Sequence, residues 1–358
     1  MHRPAIAAFL TCLLLAGSPA RSDSPETRPI DTEIVAAMRA AHVPGLSIAV
    51  VKNGSVVLMR GYGLADVEQG VPANAQTVYQ TGSNGKQFTA LLVLMLAERG
   101  ILHLDDPIVK YLGAANPAWR AITIRELLTH TSGISNSALD KAQLTLDYTN
   151  DQILKMIASY PLDFPPGTRW SYSNCGYELL GFIVQKATGR FYGDLLAEYV
   201  WKPLGMHATR IIDLAGIVPH RAPGYVLTRD RKLANQYWVS QSWDSTADGA
   251  MLTTVEDMTK WDRALDGQQL ISAASYRQMY TPVRLKNGKT HPYGFGWDLE
   301  TYRGGRVYSH GGVWQGFTGF NIRYVDAHVD VVVFTNLGEN DAAEAIARRT
   351  ARYYLEGR

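Results

Sequence analysis

The chain has 358 residues, 46% of them hydrophobic and 19% charged, which is ordinary globular usage and enough length to bury a large core. Its formal net charge is +2 with no Lys/Arg block, so composition argues against a nucleic-acid partner. The nine histidines show no His-Glu-x-x-His or paired-ligand spacing, so neither a metal nor another cofactor is implied.

In chain order, the first pattern is an export signal over residues 1–20. Arg3 precedes an apolar run from Ala5 to Gly17, and Ser18-Pro19-Ala20 offers a small-x-small cleavage site. The run falls short of the roughly 20 residues that cross a bilayer. The mature protein is therefore expected in the periplasm or secreted, with no stable membrane span. Cys12 would leave with the signal, and Cys175 alone gives a monomer no disulfide.

Residues 21–358 read as one domain. Ile30 to Ala41 has helical spacing with Asp31 and Thr32 as candidate caps, and two strand patterns, Gly45 to Val51 and Val56 to Tyr62, flank the hairpin signal Asn53-Gly54. Helical patterns follow at Gln87 to Arg99, Ile124 to His130, Asp151 to Ser159, Tyr177 to Thr188, Tyr192 to Tyr199 and Thr254 to Leu265. Strand patterns return at Arg306 to Ser309, Gly319 to Val325 and Val329 to Thr335, before a helix from Asp341 to Leu355. Strands from both ends with helices between predict an α+β fold. An antiparallel sheet, flanked by helices, would come from about residues 30–80 and 290–358, with a large helical insertion lobe over about 81–289. A shared site would lie in the cleft between the lobes.

Three short motifs carry the chemistry. Ser83-Asn84-Gly85-Lys86 holds the only Ser-x-x-Lys in the chain and opens a strongly apolar helix, so Ser83 and Lys86 would share a face. A serine hydroxyl is a weak nucleophile that needs a base and a fixed place for the oxyanion. Burial would lower the pKa of Lys86 and let it take the Ser83 proton. Tyr172-Ser173-Asn174 lies in a polar, aromatic loop before the helix predicted from Tyr177. A phenol beside a lysine can pass a proton to a leaving group, and the Asn174 amide can hold lysine and substrate. His310-Gly311-Gly312 ends a short strand, where the glycines let a substrate backbone lie close and His310, about a quarter protonated near pH 7, would attract a substrate carboxylate.

Other candidates read as structural. His130 and Ser132 in LLTHTSGI fit a capped helix end, and in the second Tyr-x-Asn, at Tyr148, Asn150 reads as a helix cap. Lys289-Thr290 is followed by His291 rather than Gly beside an Asn287-Gly288 turn, and no Gly-x-Ser-x-Gly elbow exists.

With PGLSIAVVKNG, GSNGKQFTALL, LLTHTSGI, PPGTRWSYSNCGYELLG, DGAMLTT and YGFGW added to the three motifs, the chain from about Pro44 to Gly338 resembles the penicillin-recognising serine hydrolases. The branch is that of class C β-lactamases, D-alanyl-D-alanine carboxypeptidases, D-aminopeptidases and related esterases. The resemblance implies a β-lactamase/transpeptidase-like fold, with Ser83 as acylated nucleophile and Lys86 with Tyr172 as the proton-transfer pair. It also implies an oxyanion hole from the backbone N–H groups of Ser83 and Val313. His-x-Gly departs from the Lys-Thr-Gly of class C β-lactamases and looks more like the carboxypeptidase and D-aminopeptidase branch. The implied partner is a small-molecule or peptide substrate: a D-amino-acid peptide or a β-lactam. A small-ester esterase and a penicillin-binding protein that acylates without turnover are the alternatives.

Overall fold

A computed structural model describes residues 29–356. The export signal and Cys12 lie outside the described residues. The first two strands, β1 (Gly45–Lys52) and β2 (Ser55–Asp66), form the hairpin that Asn53-Gly54 predicts. Both turn residues have positive φ, 50° and 73°, which gives the tight connection the right-handed twist of the strands. Beyond β3 (Val71–Pro72), the remaining strands come from the far end of the chain: β4 (Asp298–Tyr302), β5 (Gly305–Trp314), β6 (Phe317–Tyr324) and β7 (Val329–Thr335). Their order is β4-β5-β6-β7-β1-β2-β3, with every neighbouring pair antiparallel. The two ends of the chain meet where β7 pairs β1, Thr335 opposite Leu46.

The main helices are α1 (Pro29–Ala41), α2 (Lys86–Glu98), α3 (Ile124–Leu128), α4 (Asn150–Ala158), α5 (Asn174–Thr188), α6 (Val255–Asp266) and α7 (Ala342–Leu355). Alternation along the central strands builds two cores. Leu46, Ile48 and Val50 of β1 and Val329, Val331 and Val333 of β7 pack with Ile34 of α1 and Ile346 and Ala347 of α7. Ala49, Val332 and Phe334 turn to the other face, into a core shared with α2, α5 and α6. Helix α2 is mostly apolar and is buried from Lys86 to Leu96, the pattern of a core helix.

Several ends differ from the sequence reading. Asp31 lies inside the first turn of α1, and its carboxylate accepts hydrogen bonds from Arg60 and Tyr62. The α4 cap is Thr149 rather than Asn150, because Thr149 and Gln152 form a reciprocal capping box. Helix α5 begins at Asn174, three residues before the predicted start, because the Ser173 hydroxyl accepts from the Gly176 N–H at 3.0 Å. Strand β5 does not stop at His310-Gly311-Gly312; β6 pairs it as far as Trp314. A small ribbon, in which Met251–Thr253 pairs with both Tyr79–Gln80 and Arg210–Ile211, has strands too short to show a sequence period.

Candidate active site

Ser83 sits not on an α-helix but on the 3₁₀ turn Gly82–Gly85 that runs into α2. Three residues per turn eclipse positions i and i+3, which brings Ser83 and Lys86 together more directly than an α-helix would. Ser83 is half-buried and Lys86 is fully buried. Lys86 Nζ lies 2.8 Å from Ser83 Oγ, 2.8 Å from Asn174 Oδ1 and 2.7 Å from the Asp248 carbonyl oxygen. Burial lowers the ammonium pKa to about 8, against a smaller opposing pull from Asp248. An ammonium uses three N–H donors here. Once neutral, the amine keeps two for Asn174 and Asp248 and has a lone pair for the Ser83 hydroxyl.

Tyr172 packs beside this amine, its ring centroid 4.8 Å from Lys86 Nζ. Its hydroxyl is buried and has no hydrogen-bond partner among the described residues. Burial holds the phenol well above its ordinary pKa, opposed in part by the Ser83 hydroxyl. A protonated phenol beside a serine and a lysine can donate to a group that gains a proton.

Strand β5 closes the other side. Gly82 has φ 51°, and a Cβ there would stand 2.6 Å from the Val313 nitrogen. A Cβ on Gly312 would stand 2.1 Å from the Thr81 carbonyl oxygen. Both glycines are needed for strand and turn to touch. Ser83 and Val313 then line one small cavity with Asn174, Asp248 and Trp314. Beside it lies a cavity of about 300 Å³ walled by Leu139, Leu144, Trp243 and Trp314, with Glu178 and Asp248 on its polar side. Trp243 faces this cavity, whereas the nearby Tyr237 and Trp238 are exposed at the surface.

His310 corrects the sequence reading. Burial and the neighbouring Lys86 charge push its pKa down to about 3, so it is neutral near pH 7 rather than a quarter protonated. Nδ1 lies 2.6 Å from the Gly311 carbonyl oxygen and Nε2 lies 3.0 Å from Tyr293 Oη. His130 also belongs to this cluster. It follows α3 with φ 57°, as a helix-end residue can, but its ring enters the site and lies, tilted by 35°, with its centroid 4.2 Å from that of Tyr172. Lys289 and Thr290 stay exposed on a hairpin.

The structure thus brings Ser83, Lys86, Tyr172, Asn174, His310, Gly311, Gly312 and Val313 to one cleft. Sequence reasoning missed three contributors. The Asp248 carbonyl has no side-chain signature, while Tyr293 and His130 stand inside YGFGW and LLTHTSGI, whose aromatic rings were the available signal.

The Beta-lactamase family matches residues 30–355. Penicillin-binding protein 4* of Bacillus subtilis (strain 168) is 30% identical over 330 residues, covering 87% of this chain and 72% of that protein. An octameric penicillin-binding protein homologue from Pyrococcus abyssi superposes with TM-score 0.79 and 28% identity over 92% of this chain and 77% of its own. A D-stereospecific amidohydrolase from Streptomyces sp. gives TM-score 0.74 and 25% identity over 88% of this chain and 98% of its own.

Proposed function

The chain belongs to the beta-lactamase family, and on that premise we propose that it cleaves amide or ester bonds through an acyl-enzyme on Ser83. The observation that carries this reading is the buried Lys86 amine held 2.8 Å from Ser83 Oγ by Asn174 and Asp248. With a pKa of about 8, about a tenth of Lys86 is neutral at pH 7. That fraction takes the Ser83 proton as Oγ attacks the substrate carbonyl carbon. The backbone N–H groups of Ser83 and Val313 receive the oxyanion. When the intermediate collapses, the amine or alcohol leaves with a proton delivered through Tyr172. Water then attacks the acyl ester and releases the acid.

The substrate class we propose is a D-amino-acid peptide or a β-lactam, with small esters as the second reading. The penicillin-binding and D-stereospecific amidohydrolase neighbours support the first. The neutral His310 weighs against anchoring a free carboxylate at that residue. The proposed location, periplasm or cell exterior, rests on the pattern of residues 1–20 alone.

Intact-protein mass followed over time after addition of a penicillin or a small activated ester tests the reading, with Ser83→Ala as control. A serine-dependent adduct supports it, and the adduct lifetime separates turnover from stalled acylation. Turnover retained by Ser83→Ala removes the serine from its role.

A further inference from the structure

Between the loop that carries Tyr172 and the strand that carries Val313 runs a sealed line of four hydrogen bonds. The Ser173 N–H donates to His130 Nδ1 at 3.0 Å, and His130 Nε2 lies 3.2 Å from Tyr293 Oη. Tyr293 Oη lies 3.0 Å from His310 Nε2, and His310 Nδ1 lies 2.6 Å from the Gly311 carbonyl oxygen. Ser173, His130, Tyr293 and His310 are all buried.

The direction of the line is fixed from both ends. A backbone N–H only donates, so His130 Nδ1 accepts and the neutral ring carries its proton on Nε2. That proton goes to Tyr293 Oη, which leaves the single phenolic proton for His310 Nε2. A carbonyl oxygen only accepts, so the His310 proton must be on Nδ1. Each ring then has one donor and one acceptor, and all are used.

We propose that His130 and Tyr293 are positioning residues, which hold His310 as the Nδ1–H ring and lock strand β5 against the Tyr172 loop. His310 then has no N–H to offer a substrate and serves the site by tying Gly311, two residues from Val313, to the helical lobe. The His130 ring packed against Tyr172 holds the phenol in the same arrangement. The groups around His310 agree with a neutral ring. Lys86 and Tyr172 face it across the cleft, Tyr293 and through it His130 lie at its edge, and the β6 residue opposite is Asn321, whose amide is bonded to Asp262. Burial and the Lys86 charge disfavour the protonated form of both histidines.

The catalytic consequence rests on the serine-hydrolase reading, but the state of the ring can be measured without substrate, so the two can fail separately. The measurement is ¹⁵N–¹H NMR of the histidine ring nitrogens in the full chain, with His310 assigned by its loss in His310→Gln. The expected spectrum shows His310 protonated on Nδ1 alone, with no titration between about pH 5 and 8. An imidazolium, or an Nε2–H ring, overturns the proposal whatever any variant does. In Tyr293→Phe the His310 nitrogen shifts should change, and kcat should fall about tenfold through misplaced reacting groups. His130→Gln, which keeps a donor toward Tyr293, should retain more kcat than His130→Ala. Unchanged His310 shifts in a folded Tyr293→Phe protein would also overturn it.

Discussion

The two faces of the central sheet are built from the same strands and answer to different demands. Against α1 and α7 the packed side chains are aliphatic, as with Ile48, Val331 and Ile346, and alternation alone puts them there. The opposite face leads to Lys86, His130, Glu178, Tyr293 and His310, all buried polar groups with partners far away in sequence. Burying such groups costs stability unless every donor and acceptor is met. The outer face is where the fold gains stability; the inner face gives some up to hold an amine near pKa 8 beside a serine.

That comparison can be broken by substitution. Lys86→Met should lower kcat by roughly 10²–10⁴-fold, the range for loss of a positioned base. Its thermal midpoint should change little, because the gain from exchanging a buried amine for an apolar chain of similar shape is offset by the acceptors left on Asn174 and Asp248. A melt lowered along with kcat would mean that Lys86 supports the fold as well. Gly312→Ala should reduce kcat by roughly 10²–10³-fold, as for a lost oxyanion donor, since its methyl group would displace β5 from the Thr81 carbonyl and move Val313. Steady-state kinetics with wild-type values would place the oxyanion elsewhere.

On the outer face the effects should reverse. Ile346→Ala should cost roughly 2–5 kcal/mol in denaturant unfolding, because the side chain fills the core between α7 and the sheet. Its kcat per folded molecule should stay at the wild-type value; a fall would show that the two faces are coupled. Thr149→Ala, which removes the α4 cap, should cost about 1 kcal/mol and leave turnover unchanged.

The same contrast explains what the sequence made legible. The Asn53-Gly54 hairpin, the strands at both ends and the apolar helix after Ser83 follow from local pattern, and so did the α+β architecture. Ser83, Lys86, Tyr172, Asn174 and the His310 strand could be singled out because short motifs mark them. What the pattern hid was set by tertiary contact. The protonation of His310 depends on burial next to Lys86, and His130 looks like an ordinary helix end until its ring is seen between Tyr172 and Tyr293. The Asp248 carbonyl joins the site through backbone placement beside the short Met251–Thr253 ribbon, which no side-chain type announces.

The most direct test of the account is the single-turnover rate at which a small activated ester acylates Ser83, measured as a function of pH and mapped by peptide mass. With Lys86 as the base, the rate should rise about tenfold per pH unit below its pKa and level off above about 8. A rate that is flat between about pH 6 and 9, or label on a residue other than Ser83, would contradict it.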